Sequence, residues 1–522
     1  MPAKNICFIY TISPNLFQEW KSKEATVVQI RPVTGTYGLV VYRPVWMPFN
    51  DVAKEITFSY INQFGFPPEG RNGEKYRMAV ASFLYAAQRV ILKEYPEADD
   101  GTPFRDIFLG VRRRDEAWSH YPHVGKKVGK KVVDSFLNNY CTYKILGSGD
   151  SGLYKDSNGK WRTDPLMSMY EVVPDLFDDR LKEARFIQTG LPYVVINKEE
   201  SYGQRQQRQA RRTRKPRLNK TVAKGKYKDH LRATERRVQA LNEFWLNYPL
   251  VMPNGHAGAS VSRIYHDGRM DAGGRLYGLW TASGEDDRLE ATIDGEPVCE
   301  IDICASQPTL LSCLLGIKLQ GLQKDNTWND VYAELSRLAY LNWEWTVVTD
   351  DIDPIDLIKF NRKIAKLVIM EMIGTGNVDK PTPSPSLVEE TGLTDEGWER
   401  FKKDLIKAVP ALKQLEPRYG ADGKVEGYIN GAGFLSYHEA EIMMLTLEAL
   451  MKEDIPAYPV HDCLIVKHLD LDRSVHVFRD IIYQYCKEMS GLEVLIPLSI
   501  DTPKGLKIDS YDSNKLKGKY LS

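Results

Sequence analysis

Glu300-Ile-Asp-Ile-Cys-Ala-Ser-Gln-Pro-Thr-Leu-Leu-Ser-Cys-Leu-Leu-Gly316 is the stretch on which the fold turns. Val298 to Ile303 reads as an apolar strand entered through an Asp294-Gly295 turn. Ser306 is the expected N-cap of a following helix, and Pro308 suits its first turn. Asp302 therefore stands where a strand ends, and a carboxylate there needs a cation, hydrogen bonds or water. A second stretch, Tyr458-Pro-Val-His-Asp-Cys-Leu-Ile-Val466, has the same character: Asp462 interrupts a short apolar strand, with His461 beside it. Two such acids on adjacent strands would form a site for a hard cation such as Mg²⁺, which prefers oxygen ligands.

The whole chain has 522 residues, enough for about three domains, and 43% hydrophobic with 27% charged residues is the composition of a globular protein. Its formal net charge of zero hides a segregation. Residues 204–237 carry 14 Lys or Arg against Asp229 and Glu235, which leaves the remainder net acidic by 12. Seven cysteines without CxxC spacing exclude a zinc finger and fit a reducing compartment. Met1 to Tyr10 lacks a basic region followed by an apolar run, and no 18-residue apolar stretch occurs, so the expectation is a cytoplasmic protein with no membrane partner.

Residues 26–47 are rich in Val, Tyr and Thr and suggest a small sheet. Residues 72–94 follow a helical period with Tyr76, Ala79, Phe83, Ala86, Val90 and Leu92 on the buried face. Basic clusters at Arg112-Arg113-Arg114, Lys126-Lys127 and Lys130-Lys131 suit a nucleic-acid path or a solvated face equally. Residues 146–165 read as a loop or hairpin, and residues 175–200 as mixed helix and strand. Gln204 to Arg217 contains almost nothing that can be buried, so Arg211, Arg212, Arg214 and Lys215 are expected on a basic arm that binds a polyanion through counterion release. From Lys226 to Asn247 the chain becomes helical, with Val238, Leu241, Phe244 and Trp245 as its apolar side.

Three further elements give this arrangement a family setting. Asp271-Ala-Gly-Gly-Arg275 resembles the D-x-x-G-R element of single-subunit RNA polymerases and, less closely, the T-x-x-G-R element of family A DNA polymerases. Arg362 and Lys366 share a helix face at i, i+4 that Met370 continues. This resembles the R-x-x-x-K-x-x-x-(F or M)-x-x-x-Y-G helix of the same enzymes, except that Gly374 stands where they carry Tyr. The helical run from Phe434 to Lys452, the His461-Asp462-Cys463 hairpin and the acidic turn Leu469-Asp-Leu-Asp472 resemble the end of those polymerases, with Cys463 replacing Glu or Ser. The likeness spans roughly residues 235–510.

What the resemblance implies is an α+β right-hand polymerase of palm, fingers and thumb, with an extra N-terminal α/β domain. Residues 1–200 would form that domain, 201–250 the basic arm and a thumb-like helical region, and 251–522 the palm and fingers, the fingers lying at about 317–425. Asp302, Asp462 and the carbonyl of Ile303 would hold two Mg²⁺ ions, for which Mn²⁺ can substitute. Arg362, Lys366, Gln307 and Met370 would contact the nucleoside triphosphate, and Arg275 and His461 the primer or template. Gln307 falls at the place of the residue that selects the sugar, and its bulk favours deoxynucleotides. The D-x-x-G-R form and Ser306 lean towards ribonucleotides. The expectation is a DNA polymerase acting on a DNA template and primer, with a primase or single-subunit RNA polymerase making an RNA product as the alternative. A third reading is a replication protein that binds nucleic acid without catalysis. Compact motif spacing suits a phage or other mobile element in a bacterial cell.

Overall fold

A computed structural model describes residues 37–70, 72–93, 106–111, 118, 121–144, 153–155, 161–163, 168–200, 217–218, 220–319, 323–324, 327–328, 331–332, 354–375, 378, 380–415, 418–419, 425–427 and 431–503. The fold is mixed α/β. The described residues fall into two compact units, those within 1–193, 200–215 and 251–261 and those within 194–199, 216–250 and 262–522. Among the described residues no helix is long and apolar enough to cross a membrane.

The first unit contains strands β1 (Tyr37–Val41), β2 (Trp46–Pro48), β3 (Asp106–Val111), β4 (Cys141–Lys144), β5 (Ser168–Val172) and β6 (Phe186–Gln188), with helices α1 (Asp51–Gln63), α2 (Gly73–Ile91) and α3 (Lys126–Tyr140). One sheet has the order β1-β3-β5-β4, and β1 runs parallel to β3, so α1 and α2 form the crossover that a parallel pair requires. β2 pairs antiparallel with β6, which runs parallel to Ala257–Gly258. Asn50 starts α1 by accepting from the Ala53 N–H, and the same oxygen accepts from the Arg185 N–H, which fixes the helix entry to the segment before β6.

The helix expected at 72–94 is α2, with Tyr76, Ala79, Phe83 and Ala86 buried. Val90 is only half-buried and Leu92 is exposed, because the helix ends at Ile91 and Leu92 is its cap. Of the loop or hairpin expected at 146–165, residues 153–155 and 161–163 pair antiparallel. Lys126, Lys127, Lys130 and Lys131 occupy the outer face of α3, whereas Arg112-Arg113-Arg114 lie outside the described residues.

The second unit contains β7 (Val194–Ile196), α4 (Lys220–Trp245), β8 (Ser262–Tyr265), β9 (Gly273–Tyr277), α5 (Glu285–Leu289), β10 (Thr292–Ile293), β11 (Glu296–Ile303) and α6 (Ser306–Leu315). There follow α7 (Pro354–Thr375), α8 (Pro385–Thr391), α9 (Asp395–Ala408), α10 (Gly431–Lys452), β12 (Ala457–Val460), β13 (Cys463–Lys467), α11 (Leu471–Ser490) and β14 (Leu498–Asp501). Strands run in the order β10-β11-β13-β12, with β14 also paired to β11, and β9-β8-β7 form a separate three-stranded sheet. Asp294 and Gly295 both have positive φ, 55° and 77°, the pairing a type I′ turn needs to join β10 to β11.

Val298, Cys299, Glu300 and Ile301 are all buried, so β11 is covered on both faces and reads as a near-continuous apolar run rather than an alternation. Trp245 and Trp280 close the β12 side. Their indole N–H groups donate to the Ala457 and Pro459 carbonyls at 3.0 and 2.8 Å, and Trp245 stacks on Tyr458 with ring centroids 4.9 Å apart. On α4, Val238, Leu241 and Trp245 are buried as the spacing predicts, while Phe244 is half-buried.

Candidate catalytic carboxylate pair

Asp302 is the penultimate residue of β11 and faces the β12–β13 hairpin. The ladder pairs Ile301 with Leu464 and Asp302 with Cys463, so Asp462 lies one residue beyond the partner of Asp302. Val460 and Cys463 close the hairpin, which leaves His461 and Asp462 as its two turn residues. Asp462 therefore sits in the turn rather than inside a strand, which corrects the sequence reading. Backbone pairing brings both acids to one end of the sheet. Burial raises the Asp302 pKa to about 7, and the charge of Asp462 adds to the rise; Asp501 adds a little more, and Lys366 works against it.

Left-handed backbone flanks both acids. Ala305 has φ 48° at the junction between β11 and α6, and His461 has φ 59° in the hairpin turn. Neither is glycine, and each such residue costs on the order of 1–2 kcal/mol. The Ala305 corner also decides what Ser306 does. Ser306 was expected to cap α6, but Ala305 occupies the cap and Ser306 is the first helical residue. Its hydroxyl turns instead to Asp462 Oδ2, to which it donates at 2.5 Å, with Glu439 Oε1 at 3.4 Å on its other side.

Glu439, on α10, is a residue to which sequence reasoning assigned no role of its own. Its side chain is fully buried and takes the Arg275 guanidinium, with Arg275 Nε donating to Oε2 at 3.0 Å and Nη2 donating to the same oxygen. Burial pushes the Glu439 pKa up to about 7 against the lowering effect of Arg275, with Asp462 again adding to the rise. Arg275 thus reaches the carboxylate pair from β9, but its guanidinium is engaged by a protein acid. Gly273 and Gly274 are required by the protein's own packing: their φ values are 77° and 87°, and the rings of His266 and Tyr265 stand where a Cβ would be.

Further ion pairs were missed. Arg288 on α5 grips the buried Glu300 with Nε–Oε1 2.6 Å and Nη2–Oε2 3.0 Å, and the Cys463 thiol lies 3.6 Å from Glu300. Arg263, wholly buried on β8, donates to Glu441 at 2.7 Å, and Arg237 on α4 bridges Glu441 and Glu448. A buried acid needs a partner, and Glu439 and Glu441 within a largely apolar helix were the signal that could have exposed the Arg275 and Arg263 pairs.

The other expected residues fall as follows. Ile303 ends β11, buried and paired with Leu498. Arg362, Lys366, Met370 and Gly374 all lie on the exposed face of α7, as the i, i+4 spacing predicts. Arg362 stands over the Tyr332 ring at 5.7 Å. Gln307 is buried in the first turn of α6, and its Oε1 has no hydrogen-bond partner among the described residues. His461 sets its ring edge against Tyr277 at 5.5 Å, and its Nδ1 likewise lacks a partner there. Cys463 is buried and Cys304 half-buried. Arg211, Arg212, Arg214 and Lys215 lie outside the described residues.

The donor set suits a hard cation. Asp302 has no salt-bridge partner among the described residues, and its like-charged neighbour and burial both oppose its ionisation unless positive charge is supplied. No group of three or more His, Cys, Asp or Glu side chains there converges for a metal. Any further ligands would be backbone, water or substrate oxygens, the set that Mg²⁺ takes at phosphate-handling sites.

No family model and no curated protein matches the chain. Among solved structures, it is similar to the POL domain of Pol1 from M. smegmatis, described as a complex with DNA primer-template and dNTP, at 11% identity and a TM-score of 0.30. That similarity covers 58% of this chain and 57% of the other.

Proposed function

We propose that the protein is a template-directed nucleotidyltransferase, a DNA polymerase that extends a 3′-hydroxyl with dNTPs, in which Asp302 and Asp462 are the catalytic carboxylates. The observation that carries this reading is the pairing of β11 with β13, which sets the two acids side by side at a sheet end. The palm would be the β10-β11-β13-β12 sheet, and the fingers would include α7. Divalent cations bound to the two aspartates would lower the pKa of an attacking hydroxyl and neutralise charge on a leaving pyrophosphate.

The chain's own residues supply the rest. Ser306 holds Asp462 Oδ2, so one carboxylate orientation is favoured before any ligand arrives. Arg362 and Lys366 present positive charge on the exposed face of α7, and the charge of Lys366 acts on Asp302, which supports their role in gripping a triphosphate. Gln307, next to Ser306 in the sequence, is a bulky side chain whose carbonyl has no partner among the described residues, and it favours deoxynucleotides over the ribonucleotides of a primase.

The test supplies Mg²⁺, a single-stranded template with or without primer, and either dNTPs or NTPs. Primer-dependent dNTP incorporation that disappears in both Asp302→Ala and Asp462→Ala is the expected result. Unprimed ribonucleotide products would move the reading to a primase or RNA polymerase. Incorporation undiminished in both variants, or absent from the native protein, would overturn it.

A further inference from the structure

Away from the carboxylate pair, the second unit carries a groove of about 650 Å³ lined by Glu399, Arg400, Lys402, Lys403, Ile406, Lys407 and Lys413. Five of those seven residues are cationic, in a chain whose formal net charge is zero. The single acid is already occupied, because Glu399 pairs with Lys402 at 2.6 Å. Lys402 turns inward and also donates to the Lys380 carbonyl. Lys403, Lys407 and Lys413 are exposed, and no carboxylate partner for them appears among the described residues.

Helix geometry explains the alignment. Trp398, Phe401 and Leu405 on α9 are buried, and Arg400, Lys403 and Lys407, spaced i, i+3 and i+7, run along its opposite face. Lys413 joins them from the 3₁₀ turn Pro410–Leu415. That turn packs on α6, the helix whose first residue holds Asp462, so the basic row and the carboxylate pair belong to one block of structure. Among the described residues the groove has no aromatic lining on which a base could stack, and one aliphatic side chain, Ile406. Its chemistry suits a chain of phosphates rather than bases or an apolar partner.

We infer that Lys403, Lys407 and Lys413 form a phosphate track for single-stranded nucleic acid, contacting the backbone of the template strand without reading its sequence. This deepens the polymerase reading by giving the template a path, but it is measured by binding alone.

The experiment follows fluorescence anisotropy of a labelled mixed-sequence single-stranded 20-mer across a salt series, using the full chain. Lys403→Ala/Lys407→Ala/Lys413→Ala is expected to bind roughly tenfold or more weakly at low salt, and its log–log salt slope to fall by about 2, since each lost phosphate contact removes about 0.7. A control, Lys54→Ala/Lys93→Ala/Lys182→Ala, removes equal charge from the first unit and is expected to leave the slope unchanged. Unaltered affinity and slope in the first variant would overturn the proposal, as would an equal loss in the control or a loss confined to duplex or to a mononucleoside triphosphate. A native protein that incorporates no nucleotide yet loses the slope in the variant would remove the polymerase reading and leave the track standing.

Discussion

The Ser306 hydroxyl donates to Asp462 Oδ2 at 2.5 Å, although Ser306 begins a helix and Asp462 lies in a hairpin turn 156 residues further along the chain. A hydrogen bond to a charged group contributes about 1.5–3 kcal/mol. Ser306→Ala is therefore expected to slow incorporation about 10- to 100-fold with little change in the KM for dNTP, and Ser306→Thr to recover part of the loss. Steady-state kinetics on a primed template makes the measurement, with circular dichroism confirming the fold.

Glu439 is fully buried and Arg275 largely so, and breaking such a pair from one side leaves an uncompensated charge. Arg275→Met and Glu439→Gln should each lower unfolding stability by about 3 kcal/mol, and the double variant by clearly less than their sum. Denaturant unfolding of the four proteins in the cycle decides this. Additive losses would show that the two side chains are not coupled.

Asp302 and Asp462 oppose one another without a cation between them. In chelator, Asp302→Asn should be more stable than the native protein by on the order of 1–2 kcal/mol. Millimolar Mg²⁺ should raise the melting temperature of the native protein and leave that of Asp302→Asn nearly unchanged. Equal stabilisation of both by Mg²⁺ would argue against a cation held by Asp302.

Gly374 lies on the exposed face of a helix, with nothing within 4 Å of the place a Cβ would occupy. Gly374→Ala should therefore stabilise α7 by about 0.5–1 kcal/mol. Hydrogen exchange along 354–375 would register slower opening; faster opening would show that the backbone there needs glycine.

In the first unit, burial pulls the His256 pKa down to about 4, helped by Arg185 and Arg89, while the Phe186 N–H donates to Nδ1. The folded state thus holds the neutral ring and the unfolded state takes up the proton first. Stability is complete above the unfolded pKa of about 6.5 and declines as pH falls towards 4, by up to about 3 kcal/mol. His256→Gln should flatten that part of the stability–pH curve; an unchanged slope would exclude His256 as its source.

Much of the site's frame was legible because its signals are local. The Asp294-Gly295 turn, the apolar run to Ile303 and the two short runs around Asp462 specify strands whatever surrounds them, and the i, i+4 pair Arg362 and Lys366 defines one helix face. Ser306 misled because Ser is a strong N-cap by type, and only the left-handed Ala305 frees its hydroxyl for Asp462. The partners of Glu439 and Glu441 were illegible for another reason. α10 is buried around much of its circumference, so periodicity assigns no face, and two acids two residues apart serve Arg275 on β9 and Arg263 on β8. Pairings across 164 and 178 residues are matters of packing, which no local pattern records.

The ladder between β11 and β13 also sets a rule for changes in chain length. Side chains alternate across a strand, so one residue inserted or deleted between Glu300 and Asp302 would turn the carboxylate to the opposite face of the sheet. An extra residue in the His461-Asp462 turn would change the loop length that fixes this hairpin and so move Asp462 out of place. Substitutions nearby can be absorbed by neighbouring atoms, but a shift in count cannot. Working descendants of this chain should therefore vary in length in their connecting segments and keep an invariant number of residues through these two short stretches.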